Sequence, residues 1–195
     1  MSDLLTHLEA SGAIMSGHFL YASGKHGPNY IEKFNLLRDP AATVAACTFF
    51  ADRFRDDNID VVVGPTTGGI ILAFETARQL GVASAYAERA SDGSNDRVIK
   101  RGTTFAPGTR VLVVDDILTT GGSIRETLAA LESHPVEVVA VGVLVDRSKG
   151  LAEFGDIPLA AIATLNFDAW DAADCPLCAA GLPLVKPGTT ANPGK

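Results

Sequence analysis

The sequence predicts an α/β domain built on an open, mainly parallel sheet flanked by helices, and three observations carry that expectation. Through the middle of the chain β-branched runs alternate with helix-like runs, the pattern of βαβ units around a parallel sheet. One such run, residues 111–123 "VLVVDDILTTGGS", passes from four aliphatic residues into two carboxylates and then into a loop of hydroxyls and glycines. The length, 195 residues, suits one domain with appendages rather than two.

Taken in order, residues 5–14 "LTHLEASGAI" and 41–57 "AATVAACTFFADRFRDD" read as helices, and between them residues 17–37 form a short, turn-rich β excursion. Residues 60–65 "DVVVGP" are a buried strand ending in a turn. Residues 68–81 place Ile71, Phe74 and Leu80 at helical spacing and close on Gly81, a helix-ending glycine. "SAYAER" (84–89), "RVLVVDD" (110–116) and "VEVVAVGVLVDR" (136–147) are further strands, with a helix over 123–134. Residues 90–108 are polar, glycine-containing and long for a connection, so they form a mobile lid or a flexible hairpin. The tail from Asp171 is rich in Pro, Gly and Ala, and its last residues, 187–195, are expected to fray.

Composition narrows the function classes. Hydrophobic residues make up 47% and charged residues 20%, and no apolar run approaches the roughly 20 residues of a membrane helix. A net charge of −7 argues against broad attraction to nucleic acid or anionic lipid, so an anionic ligand must be held by a local device. The acidic start lacks the pattern of a secretory signal, and three cysteines are too few for a disulfide scaffold, which together point to the cytoplasm.

That local device is the segment 111–123. A strand of a parallel sheet delivers Asp115 and Asp116 to the carboxyl edge, where ligands bind. Alternation sends the two side chains to opposite faces, so one meets the ligand while the other braces the loop or faces a metal. Thr119, Thr120, Gly121, Gly122 and Ser123 then lead into a helix, and such a loop turns backbone N–H groups and a helix dipole toward an anion. No lysine follows in the manner of a P-loop, and no dinucleotide fingerprint is present. A phosphate cradle next to two acids suits a ribose 5-phosphate; the plainer alternative is a helix-cap cluster followed by a tight turn.

The segment resembles the phosphoribosyl pyrophosphate-binding motif of type I phosphoribosyltransferases. Residues 17–37, 61–81 and 141–148, with the C-terminal "CPLCAAGLPLVKPGT" (175–189), resemble orotate phosphoribosyltransferases in particular, and the likeness runs from about Gly17 to Thr189. The resemblance implies the type I fold as a single domain over residues 1–195. Its hood and base-side elements are made from about 1–40 and 165–190, and its flexible lid is 90–108. It implies Mg2+-dependent transfer of the phosphoribosyl group to orotate by a homodimer. Asp115 and Asp116 then lie along the ribose hydroxyls, and Mg2+ is held mainly by the substrate, through water to either acid. Thr66, Thr67, Gly68 and Gly69, in "GPTTGG", form the pyrophosphate loop, where Gly68 or its neighbour replaces a lysine common in the family. Tyr30 lies against the pyrimidine with Ser23, Gly24 and Lys25 near its polar edge, although Ala22 stands where relatives carry a lysine. Arg147 faces the orotate carboxylate, the alternative being a strand-end pair with Asp146. Arg89, Arg97, Lys100 and Arg101 are the cations of the lid, Arg89 being the firmest match.

Two other functions compete: transfer to another base, and a non-catalytic regulator that keeps the phosphoribosyl pyrophosphate site. Cys175 and Cys178 invite a metal reading, but a closed zinc site needs four ligands and no second cysteine pair exists. His7, His18, His26 and His134 show no ligand spacing, and the cysteine segment is expected to pack as an ordinary tail.

Overall fold

The computed structural model describes residues 12–187 apart from 22, 95 and 101. Most of the expected 5–14 helix, His7, Ala22, Arg101 and the tail end lie outside the described residues. The sheets hold strands β1 (Ile14–Leu20), β2 (His26–Ile31), β3 (Val61–Pro65), β4 (Ala83–Arg89), β5 (Arg97–Val98), β6 (Thr109–Leu118), β7 (Val136–Asp146) and β8 (Leu159–Thr164). The helices are α1 (Lys33–Leu37), α2 (Pro40–Phe54), α3 (Gly68–Leu80), α4 (Gly122–Glu132) and the single turn α5 (Pro176–Ala179). Strands β1 and β2 form an antiparallel hairpin, and the other six form a sheet in the order β5-β4-β3-β6-β7-β8, parallel except for β5.

Alternation along the central strands builds two cores, one on each face of this sheet. Val62, Leu112 and Val114 turn toward α2 and α3 together with Phe50 and Leu72. Val63, Val111 and Val113 turn toward α4 with Ile124 and Leu131. Helix α2 starts as its sequence dictates: Asp39 accepts hydrogen bonds from the N–H groups of Ala41 and Ala42, and Pro40 occupies the first turn. Helix α3 ends on Gly81 at φ 74, as expected.

Four expectations need correction. Strand β6 runs on through the acids to Leu118, because β7 continues to pair with it at Ile117 and Leu118 after β3 has stopped at Val113. Strand β8 went unrecognised: its alanine-rich "LAAIAT" is short and weakly β-prone, and pairing with β7 decides it. In α3 the apolar spacing misleads, for Phe74 is 63% exposed and Ile71 36%. The buried face is Gly68, Gly69, Leu72, Ala73, Thr76 and Ala77, small residues that bring the helix close to the sheet. Finally, His18 and His26 are not unrelated residues. The hairpin register sets Leu20 opposite His26, which brings both rings together, and the C-terminal turn adds Cys175 and Cys178 beside them.

Topology defines the ligand edge. From β3 the chain moves outward through α3 to β4, and it then returns to the other side of β3 as β6 and continues to β7 and β8. The carboxyl ends of the neighbours β3 and β6 therefore flank the point where the winding reverses, the place at which open α/β sheets bind ligands. Among the described residues, no helix is long and apolar enough to cross a membrane.

Candidate active site

Both loops singled out in the sequence open at this reversal point. Asp115 and Asp116 are 5% and 4% exposed, and they point to opposite faces as alternation requires. On the α4 side, Asp115 Oδ2 accepts a 2.6 Å hydrogen bond from the Ser123 hydroxyl, and its Oδ1 accepts from the Asp116 N–H at 2.8 Å. Burial, with the neighbouring Asp116 charge as the second cause, pushes the Asp115 carboxyl up to about 6. On the opposite face, Asp116 Oδ1 accepts from the Ile117 N–H at 2.7 Å, and the Lys33 ammonium lies 2.8 Å from Oδ2. Asp116 Oδ2 is itself buried and lies in ionic contact with that ammonium. Lys33, on α1, is the partner that sequence reasoning did not find, because only the tertiary fold brings it to the acids.

After β6, Thr119 and Thr120 lead to Gly121, whose φ of 82 admits glycine readily and turns the chain into α4. Arg125 fastens the turn by donating to the Thr120 carbonyl, while its guanidinium lies 5.5 Å from the Phe154 ring centre. The Ser123 hydroxyl is committed to Asp115, so in this arrangement the open donors of the cradle come from the loop before it.

The β3 loop is shaped by close approach. A Cβ on Gly64 would fall 2.0 Å from the Gly69 carbonyl oxygen, and one on Gly68 would fall 2.0 Å from Asp116 Oδ2 and 3.0 Å from Leu37 Cδ1. A lysine of the family type cannot occupy Gly68 here without displacing Asp116. Gly68→Ala is accordingly expected to destabilise the fold by about 1–3 kcal/mol and to disturb the acid pair. Thermal unfolding of the variant against the parent checks this. The peptide between Thr66 and Thr67 is cis.

Arg97, expected among the lid cations, is 8% exposed and serves the loop from beneath. Its Nη1 donates to the Thr66 hydroxyl at 2.9 Å and to the Ala87 carbonyl at 3.0 Å, its Nη2 donates to the Thr66 carbonyl, and its Nε meets Glu126 at 3.1 Å. Arg97 is not a lid cation, because β5 pairs it with Arg89 on β4 and so pulls it out of the surface loop. Arg89 also reaches Glu126, at 3.1 Å, and Lys100 donates to the Ser91 hydroxyl at 2.6 Å on the surface. Arg101 lies outside the described residues.

Beside the cradle, a cleft of about 470 Å3 is lined by Tyr21, Ser23, Tyr30, Arg147, Lys149 and Phe167 together with Thr119 and Thr120. The Arg147 N–H donates to the Leu118 carbonyl at 2.8 Å, which fixes the backbone, and its guanidinium lies 4.6 Å from the Phe167 ring centre and 5.6 Å from that of Tyr21. Asp146 is not its partner, since Asp146 Oδ1 accepts from the Ser148 N–H. Burial raises both tyrosine hydroxyls above their ordinary range, so each remains a neutral donor at physiological pH. Tyr30 leans on Phe19, and Lys25 turns to Asp171 at 3.6 Å rather than into the cleft. Tyr21 could have been noticed next to the "SGK" turn, whereas nothing in the local sequence around Phe167 marks it.

Acids, anion cradle, glycine loop and aromatic cleft around one sheet reversal define a protein that handles a phosphorylated sugar and a flat ring. The model of the phosphoribosyl transferase domain matches residues 35–156. An orotate phosphoribosyltransferase of Desulforamulus reducens is 42% identical over 187 residues, 96% of either chain, and one of Methylobacterium sp. is 42% identical over 192. The crystal structure of orotate phosphoribosyltransferase from Aeropyrum pernix superposes with a TM-score of 0.72 at 30% identity, covering 83% of this chain and 93% of that one. The chain belongs to the phosphoribosyltransferase family, in its orotate phosphoribosyltransferase branch.

Proposed function

We propose that the protein transfers the 5-phosphoribosyl group from phosphoribosyl pyrophosphate to orotate, giving orotidine 5′-monophosphate and pyrophosphate for UMP synthesis in the cytoplasm. The observation that carries this reading is an arginine held against two aromatic rings beside an anion cradle and a buried acid pair. The reaction develops positive charge on the ribose and negative charge on the departing diphosphate, so positioned charge and orientation supply most of the acceleration. Asp115 and Asp116 receive the ribose hydroxyls and face the developing cation. The loop Thr119–Ser123 takes the 5-phosphate through its N–H groups and the start of α4. Thr66, Thr67, Gly68 and Gly69 offer backbone to the diphosphate, with Arg97 holding Thr66 in place.

Tyr30 and Tyr21 lie along the pyrimidine while Arg147 pairs with its carboxylate. Arg89, Lys100 and Arg101 bring positive charge to the leaving group as the segment 90–108 folds over it, and Lys25 stands at the outer rim. Lys100 holds an exposed contact to the Ser91 hydroxyl that it can give up. The two acids provide oxygen donors of the kind a hard cation takes. Mg2+ bound with the substrate would supply charge neutralisation at the diphosphate, with Asp115 or Asp116 reaching it through water. Acceptor choice tests the assignment: orotate is expected to react at least about 100-fold faster than uracil, adenine or hypoxanthine, because a neutral base leaves the half-buried Arg147 guanidinium without a carboxylate to pair with. Equal rates would assign a different base.

We also infer a homodimer, supported by the apolar surface that α2 and α3 leave uncovered at Val44, Ile71 and Phe74. Phe74→Asp is expected to give a monomer in light scattering at concentrations where the parent is a dimer. A parent that is monomeric throughout would remove this inference.

A further inference from the structure

The hairpin β1–β2 and the C-terminal turn meet at a cluster that the transfer reaction does not use. His18 is 3%, His26 6% and Cys175 3% exposed, while Cys178 lies at the open side. The spacing Cys175-x-x-Cys178 spans the start of α5, with Cys175 as its N-cap residue, and residues three apart on such a turn share one face. All four ligand atoms lie within 4.8 Å of one another.

Four of the six separations among these atoms are close to those around a tetrahedral ion. A Zn2+ ion at about 2.05 Å from nitrogen and 2.3 Å from sulfur separates its ligands by roughly 3.3 Å between nitrogens and roughly 3.6 Å between nitrogen and sulfur. Here His18 Nε2 and His26 Nδ1 are 3.1 Å apart. The nitrogen-to-sulfur separations are 3.2 Å from His26 Nδ1 to Cys178, and 3.5 Å and 3.7 Å from His18 Nε2 to Cys175 and Cys178. His18 Nδ1 lies 2.9 Å from the Leu182 carbonyl, which can only accept, so Nδ1 carries the proton and Nε2 turns its lone pair inward. A ligating histidine whose other nitrogen is tied to a carbonyl is the usual outer support of a metal site.

We propose that His18, His26, Cys175 and Cys178 bind one Zn2+ ion that clamps the C-terminal segment to the hairpin. Two nitrogens and two sulfurs in a closed tetrahedron select zinc over magnesium, which takes oxygen ligands. The backbone follows the same seam: His26 and Trp170 exchange both N–H to carbonyl bonds, Val185 donates to His18, and Leu20 donates to Val185. Tyr21 lies between the two histidines in sequence, and Phe167 and Ala169 lead into Trp170, so the clamp supports a wall of the base cleft. It is a structural site, separate from the acid pair.

Metal analysis of the purified full chain, dialysed in Mg2+ buffer, tests this directly. One zinc per chain is expected, and the metal-stripped protein should take up one Co2+ with the intense visible absorption of tetrahedral thiolate coordination. Cys178→Ser, at the least buried ligand, should keep the parent's far-UV spectrum while binding less than about one tenth of the zinc, and stripping the parent should lower Tm by about 5 °C or more. Zinc below about one tenth per chain with no cobalt spectrum would overturn the proposal. So would full zinc retention by both Cys178→Ser and Cys175→Ser, or a metal-free Cys175–Cys178 disulfide in the freshly purified protein.

Discussion

Replacing Asp115 and Asp116 together by asparagine is expected to lower kcat/KM by roughly 10³-fold or more while leaving the fold in place. The loss follows from their position, buried at the end of β6 and facing the place where the ribose becomes cationic. Asparagine keeps the size of both side chains, and the buried charge of Asp115 is costly to the fold. Asp115 has its carboxyl raised to about 6 from the ordinary 3.8, so the native state holds a proton that the unfolded state releases. In the ligand-free protein this group's contribution is most favourable below about pH 4 and falls as the pH rises toward and through 6. Above that, the buried charge costs on the order of 1–3 kcal/mol. Asp115→Asn alone should therefore unfold at no lower a temperature than the parent at pH 8, although it loses activity. Thermal scans of both variants at pH 5 and pH 8, with steady-state rates, check the two halves together. A double variant with near-normal turnover would show that the pair has another purpose.

Arg147→Ala is expected to raise the KM for orotate about 100-fold or more and to lower kcat as well, with the KM for phosphoribosyl pyrophosphate nearly unchanged. The guanidinium is held over Phe167 and Tyr21 by ring contacts that fix its plane before a ligand arrives, so the carboxylate meets a donor already oriented. Arg147→Lys keeps the charge and loses the fork, and it should recover only part of the affinity. Should Arg147→Ala leave the orotate KM alone, the carboxylate is bound elsewhere and the cleft's orientation must be reversed.

How much of this was legible before the fold is best judged residue by residue. The acid pair, the cradle and the glycine loop are contiguous in sequence, and their order of strand, acids, small residues and helix already states their chemistry. Alternation placed Asp115 and Asp116 on opposite faces correctly. What escaped depends on contacts between distant segments. Lys33 reaches Asp116 only because α1 packs against α2 and α3, and Arg97 leaves the lid only because β5 pairs with β4. Phe74 stands at helical spacing with Ile71 and Leu80, but the residues of α3 that are buried are mostly the small ones. The four-residue cluster was missed for the same reason, since its histidines and cysteines lie at opposite ends of the chain and a hairpin is needed to join them. The lid cations remain the part least marked by any pattern.

Purified protein with phosphoribosyl pyrophosphate, Mg2+ and orotate should consume orotate, read as the loss of its absorbance, and release pyrophosphate in equal amount. No loss of orotate under these conditions, alongside tight binding of phosphoribosyl pyrophosphate, would contradict the account and make the protein a phosphoribosyl pyrophosphate-binding regulator instead.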